Sequence, residues 1–159
     1  MTGISIMLVA LTSVRLQGQE FTESKSFQFF EASILKHDSL RVSSYSIDSG
    51  SFVVFEFATD NAGDQGNHSK AESRVSFQLV ENTEQFSWNG PELKQHNAIY
   101  MQLCRCMDPQ IHFLEAGTIK GHRLENGNWQ VDMDVITHGR ITGKEYQIKE
   151  SAEFIKSNH

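Results

Sequence analysis

The chain carries two cysteines, Cys104 and Cys106, one residue apart in Met101-Gln102-Leu103-Cys104-Arg105-Cys106-Met107, and His112 follows beyond Asp108-Pro109. Thiolate, thioether and imidazole are the donors that copper(I) or zinc selects. On a regular strand Ala98, Tyr100, Gln102, Cys104 and Cys106 share one face, while Ile99, Met101, Leu103 and Arg105 share the other. Two residues along a strand span roughly 6.6 Å, too far for a disulfide, whose Cβ atoms sit roughly 4 Å apart. Each thiol could still turn toward one ion, with His112, or His96 from before the strand, folding back to join it. Met101 and Met107 do not share the cysteine face. Three readings stay open: a metal site of Cys104, Cys106 and His112; a strained, easily reduced disulfide if the strand breaks at the Asp108-Pro109 turn; or reduced cysteines that pack as small hydrophobes or pair between molecules.

Other reactive types are sparser. Asp132 and Asp134 share a strand face and could act as an acid and base across a cleft, but on an exposed hairpin such charges serve solubility and discourage edge pairing. Ser87 lies between Phe86 and Trp88 without a Gly-x-Ser-x-Gly elbow, and neither a phosphate-binding glycine loop nor His-Glu-x-x-His occurs. The acidic and amide oxygens of Asp60 to Lys70 could meet calcium. Their spacing matches no EF-hand loop, so a solvated connection is expected there. No catalytic or cofactor-binding residue is assigned.

The elements that position these residues follow from periodicity. Ser51-Phe52-Val53-Val54-Phe55-Glu56-Phe57 is apolar on both faces and predicts a central strand. Arg74 to Leu79 alternates, with Val75, Phe77 and Leu79 inward. Trp129, Val131, Met133 and Val135 point one way, against Gln130, Asp132 and Asp134. Ahead of them, Asn126-Gly127 predicts a two-residue type I′ turn, which sets Leu124 opposite Trp129 and His122 opposite Val131 on the apolar face. Tyr146 to Lys149 reads as a closing strand, making an antiparallel meander of the tail. Ser24 to Lys36 fits a helix or a strand.

At 159 residues, with 38% apolar content and eleven Phe, one domain with a single core is expected. A formal charge of −6 and the absence of any basic run disfavour nucleic acid and anionic membrane surfaces. A small molecule, a cation or another protein is the expected partner. Ile4 to Val14 is apolar, uncharged and too short to span a bilayer, which suits a secretory signal, although no basic residue precedes it. The alternative is a buried first strand. The division is thus 1–19 as signal peptide or apolar segment and 20–159 as one β-rich domain, exported to the periplasm or beyond, with no integral membrane segment in the mature chain.

The apolar start, the Phe/Val strand, the Cys-x-Cys after Asn97-Ala98-Ile99-Tyr100, and the tail Gly117-Thr118-Ile119-Lys120-Gly121 with Asn126-Gly127-Asn128-Trp129-Gln130-Val131-Asp132 resemble small uncharacterised exported β-proteins of the Bacteroidota, over about residues 50–136. The resemblance implies export and a β-sandwich or barrel, and no chemistry. The combined expectation is a mostly-β, single-domain antiparallel sandwich or barrel-like fold (lipocalin-like in one variant) with at most one short helix. Its expected function is non-catalytic, as a binding or structural module. The alternatives are copper(I) or zinc handling through Cys104, Cys106 and His112, and a hydrolase built on Asp132 and Asp134.

Overall fold

Alternation of large apolar side chains with small or polar ones drives nearly every element of the protein. A computed structural model describes residues 23–37, 44–61, 71–103 and 111–158. In chain order these form β1 (Glu23–His37), β2 (Tyr45–Ser49), β3 (Phe52–Asn61), β4 (Ala71–Val80), β5 (Gln85–Asn89), α1 (Glu92–Gln95), β6 (Ile99–Leu103), β7 (Ile111–Phe113), β8 (Ala116–Arg123), β9 (Trp129–His138) and β10 (Glu145–Lys156). The strands make one sheet in the order β5-β8-β9-β10-β1-β3-β4-β6-β7, with β2 on β1, and the sheet is not closed into a barrel. The mostly-β single-domain expectation is met. Among the described residues the one short helix is α1, and Ser24 to Lys36 is strand.

The sheet bends so that its two halves face each other. Val53, Phe55 and Phe57 of β3 and Val75, Phe77 and Leu79 of β4 meet Trp129, Val131, Met133 and Val135 of β9 and Phe154 of β10 in one buried cluster. Phe55 sits at its centre, with the rings of Phe29, Phe77, Phe86, Trp129 and Phe154 at centroid distances of 4.9 to 6.0 Å. Offset and edge-on rings at such distances add to area burial. Because β3 is central, its other face is covered too: Val54, Leu35 and Ile99 form a second cluster, against which Tyr45, Ile47, Ile111 and Phe113 pack.

The halves are joined by the one parallel pairing among the described strands, Gln28↔Ile155 and Phe29↔Lys156 between β1 and β10. Every other strand pair is antiparallel. The expected closing strand is therefore longer than Tyr146 to Lys149, and its far end does the joining. Glu31 holds the junction, pairing with Arg123 at 2.9 Å and with Lys156. On β1 itself, Ala32 at φ 48 lies where the register with β3 shifts, between Phe30 and Ser33. Such a bulge lets one long strand serve β3 and β10 along its first part and β2 along its last.

The hairpin between β8 and β9 corrects the expected turn. Leu124 N–H donates to the Asn128 carbonyl at 2.8 Å, and Gly127 N–H donates to the Leu124 carbonyl at 2.9 Å. The loop thus has three residues, Glu125 to Gly127, with the positive φ of 85° at Gly127 alone. Asn126 uses its side-chain carbonyl to accept from Asn128 N–H at 3.0 Å, which holds a type I bend followed by a left-handed residue. The register becomes Arg123↔Trp129 and His122↔Gln130. One residue of slip exchanges faces, so His122 is exposed, and Gly121 faces Val131 in its place.

Candidate functional site

Cys104 and Cys106 lie outside the described residues, as do Met107 and the polar stretch from Ala62 to Lys70. His112 is described. It sits on β7 opposite Tyr100 and is 5% exposed. His96, the other candidate partner, stacks on Trp88 with ring centroids 3.7 Å apart at 10°, and burial lowers its pKa. Among the described residues no group of three or more His, Cys, Asp or Glu side chains is placed to hold one ion.

Asp132 and Asp134 occupy the solvent-facing side of β9, 43% and 45% exposed. The Ser151 hydroxyl donates to Asp132 at 2.5 Å, and Lys120 stands 3.6 Å away. Gln147 donates to Asp134 at 3.3 Å, and Lys149 lies at the same 3.3 Å. These hydrogen bonds, reinforced by the lysines, lower both pKa values. Each carboxylate is held ionised by its own hydrogen-bond donor, Ser151 or Gln147, with a lysine beside it, an arrangement suited to a charged sheet surface. A catalytic pair sharing one proton needs the opposite, two environments that drive the pKa values apart.

The interior reaches solvent beside the first half of β10. Only the far end of that strand meets β1, so its start stands away from β3, β4 and β6 across an opening of about 540 Å³. Phe57, Thr59, Ser73, Tyr100, Tyr146 and Ile148 are among its lining. These are inward positions of their strands, which is why the wall combines rings with hydroxyls. Tyr100 and Tyr146 stand 5.2 Å apart between centroids, and the hydroxyls of Thr59 and Ser73 are 2.6 Å apart. Lys25 bridges to Glu150 at 2.7 Å. The arrangement offers ring faces for an apolar body and a hydroxyl pair that can donate and accept.

Burial at the opening and behind it shows in the phenols. Desolvation pushes the Tyr100 pKa up to about 12. It raises that of Tyr45 as well, with the Glu56 carboxylate, to which Tyr45 donates, adding to the effect. A phenol whose folded pKa exceeds its unfolded value of 10.0 contributes stability below pH 10 that is lost as the pH climbs toward the folded value. Absorbance titration near 295 nm is therefore expected to show Tyr45 and Tyr100 ionising late, accompanied by falling stability above about pH 10. Tyr45→Phe should remove one late phenol and soften the alkaline decline; a normal titration of all three would refute the burial.

The chain shows no match to a protein-family model, a curated protein or a solved structure. No helix among the described residues is long and apolar enough to cross a membrane.

Proposed function

We propose that the protein is a non-catalytic binding module, exported from the cell, that takes a small aromatic molecule bearing polar groups at the opening beside β10. The observation that carries this reading is the composition of that opening. Inward-facing rings and hydroxyls, with Glu145, Gln147, Lys149 and Glu150 along the β10 side, line about 540 Å³ where the two halves of the sheet part, in a fold whose remaining inner face is filled by packed apolar side chains. Volumes of roughly 300–1,000 Å³ are typical of small-molecule sites, and ring faces beside polar side chains suit a molecule with both an apolar and a polar part. Export rests on the apolar Ile4 to Val14 segment, and a mature N-terminus beyond residue 12 in protein from its own host is the expected mark of it.

Binding is tested with N-phenyl-1-naphthylamine, an uncharged aromatic probe whose fluorescence rises in apolar surroundings. The full chain should bind it saturably, and Tyr146→Ala, a half-buried position at the rim, should weaken binding at least ten-fold. Absence of saturable binding, or equal binding by the variant, would rule the opening out as the ligand site.

A further inference from the structure

A second concavity lies elsewhere, where the edge strand β7 meets the end of β9 and the short helix α1. It encloses about 560 Å³ and is lined by His37, Lys94, His112, Glu115, His138 and Arg140 around an apolar floor that includes Ile111 and Phe113. Five segments supply it. His37 ends β1, Lys94 belongs to α1, His112 lies on β7 with Glu115 just beyond, and His138 and Arg140 come from the end of β9 and the turn after it.

The polar groups are held in place. Phe113 takes the His37 ring edge-on at 5.3 Å and 84°, and the Lys94 ammonium lies 5.3 Å from its ring centroid. A ring face attracts a cation there. Among the described residues the carboxylate of the lining is Glu115, which lies 3.2 Å from His138 Nδ1, and His138 Nε2 faces Glu145 at 3.7 Å. The Glu115 N–H donates to the Ile136 carbonyl at 3.2 Å, and the Thr137 hydroxyl donates to the Phe113 carbonyl at 3.0 Å, tying the wall to β9.

Among the described residues Glu115 and Glu145 both face His138, whereas no carboxylate pairs with Lys94 or Arg140, so two cations stand open to a ligand in a chain whose net charge is −6. From this charge, the apolar floor and the volume, we infer that the groove is a binding site for a small organic monocarboxylate with a ring or short aliphatic body. The Arg140 guanidinium can take a carboxylate with two parallel hydrogen bonds, and Lys94 supplies a point charge beside the ring that would cover the apolar body. A phosphate monoester, with nearly two negative charges, would be repelled by Glu115 and Glu145 more strongly than a monocarboxylate.

Calorimetric titration of the full chain with benzoate and hexanoate, against benzyl alcohol and hexanol, tests the site. The acids should bind at least ten-fold more tightly than the alcohols. Arg140→Gln, at an exposed turn position, should weaken the acids at least five-fold, with the far-ultraviolet dichroism and N-phenyl-1-naphthylamine binding unchanged. Equal binding of acid and alcohol, indifference to Arg140→Gln, or no binding of any of the four would overturn the assignment. Tighter binding of phenyl phosphate than of benzoate would overturn the choice of carboxylate. Because the naphthylamine probe reports the other opening, either site can fail without the other.

Discussion

Phe55→Ala should cost about 3–5 kcal/mol, enough to leave the protein largely unfolded if its total stability sits low in the usual range of roughly 5–15 kcal/mol. The side chain is fully buried, at 0% exposure, and five other rings surround it. Those rings come from both halves of the sheet: Phe29 and Phe77 from one, Phe86, Trp129 and Phe154 from the other. Truncation therefore opens a cavity that neither half can fill by a local rotamer change, since Phe77, Phe86, Trp129 and Phe154 are themselves held by further rings. Ile155→Ala is the matched control, removing apolar atoms from a side chain that is 54% exposed. It should change stability by less than about 0.5 kcal/mol. Urea unfolding of both variants makes the comparison, and similar midpoints would mean that Phe55 is not the centre of the core.

Gly117→Ala is expected to be nearly as damaging, by about 3 kcal/mol or more, for a different reason. Gly117 holds φ at +100°, and a Cβ built there would lie 2.1 Å from the Asp134 carbonyl oxygen and 2.6 Å from Val135 Cα. Both atoms are backbone, fixed in the Gly117↔Val135 rung of the β8–β9 ladder, so no side chain can move aside. Conformational strain alone costs roughly 1–2 kcal/mol for a residue forced into left-handed space. Gly143→Ala isolates that part, because Gly143 has φ +66° and open space where its Cβ would be. Thermal unfolding should rank Gly117→Ala well below Gly143→Ala. Hydrogen exchange should show the gap as early opening of β8 against β9, next to the Glu115–His138 contact of the groove. Equal effects of the two substitutions would show that the close approach to β9 is absent.

Much of the core was legible from residue order. The alternation of Val53, Phe55 and Phe57, of Val75, Phe77 and Leu79, and of Trp129 to Val135 assigns each its inward face, because a strand has a period of two whatever it packs against. The two-faced Phe/Val strand does become a central one, with Val54 buried on the side away from the main cluster. The hairpin at Asn126 shows the limit of that logic. Asn-Gly suits a two-residue turn as well as a three-residue one, and the choice rests on whether the Asn126 side chain bonds to Asn128 N–H. That single hydrogen bond moves His122 from the apolar face to the wet one.

Local pattern therefore settles which residues each strand buries, since that depends on a few neighbours along the chain. Which strands become neighbours is a property of the whole fold. The parallel junction of β1 with β10 joins Gln28 to Ile155 across almost the full length of the chain, and no spacing within either segment announces it. That junction leaves the start of β10 standing apart, and so creates the opening at Tyr100 and Tyr146. The groove has the same origin. His37, Lys94, His138 and Arg140 belong to no motif in the sequence, and His112 stands out there only as a candidate ligand beside the Cys-x-Cys. They come to line one groove because the ends of β1, α1, β7 and β9 arrive at one edge of the sheet. Charges so far apart in the chain acquire a shared chemistry only when packing holds them within a few ångströms of one ligand-sized space.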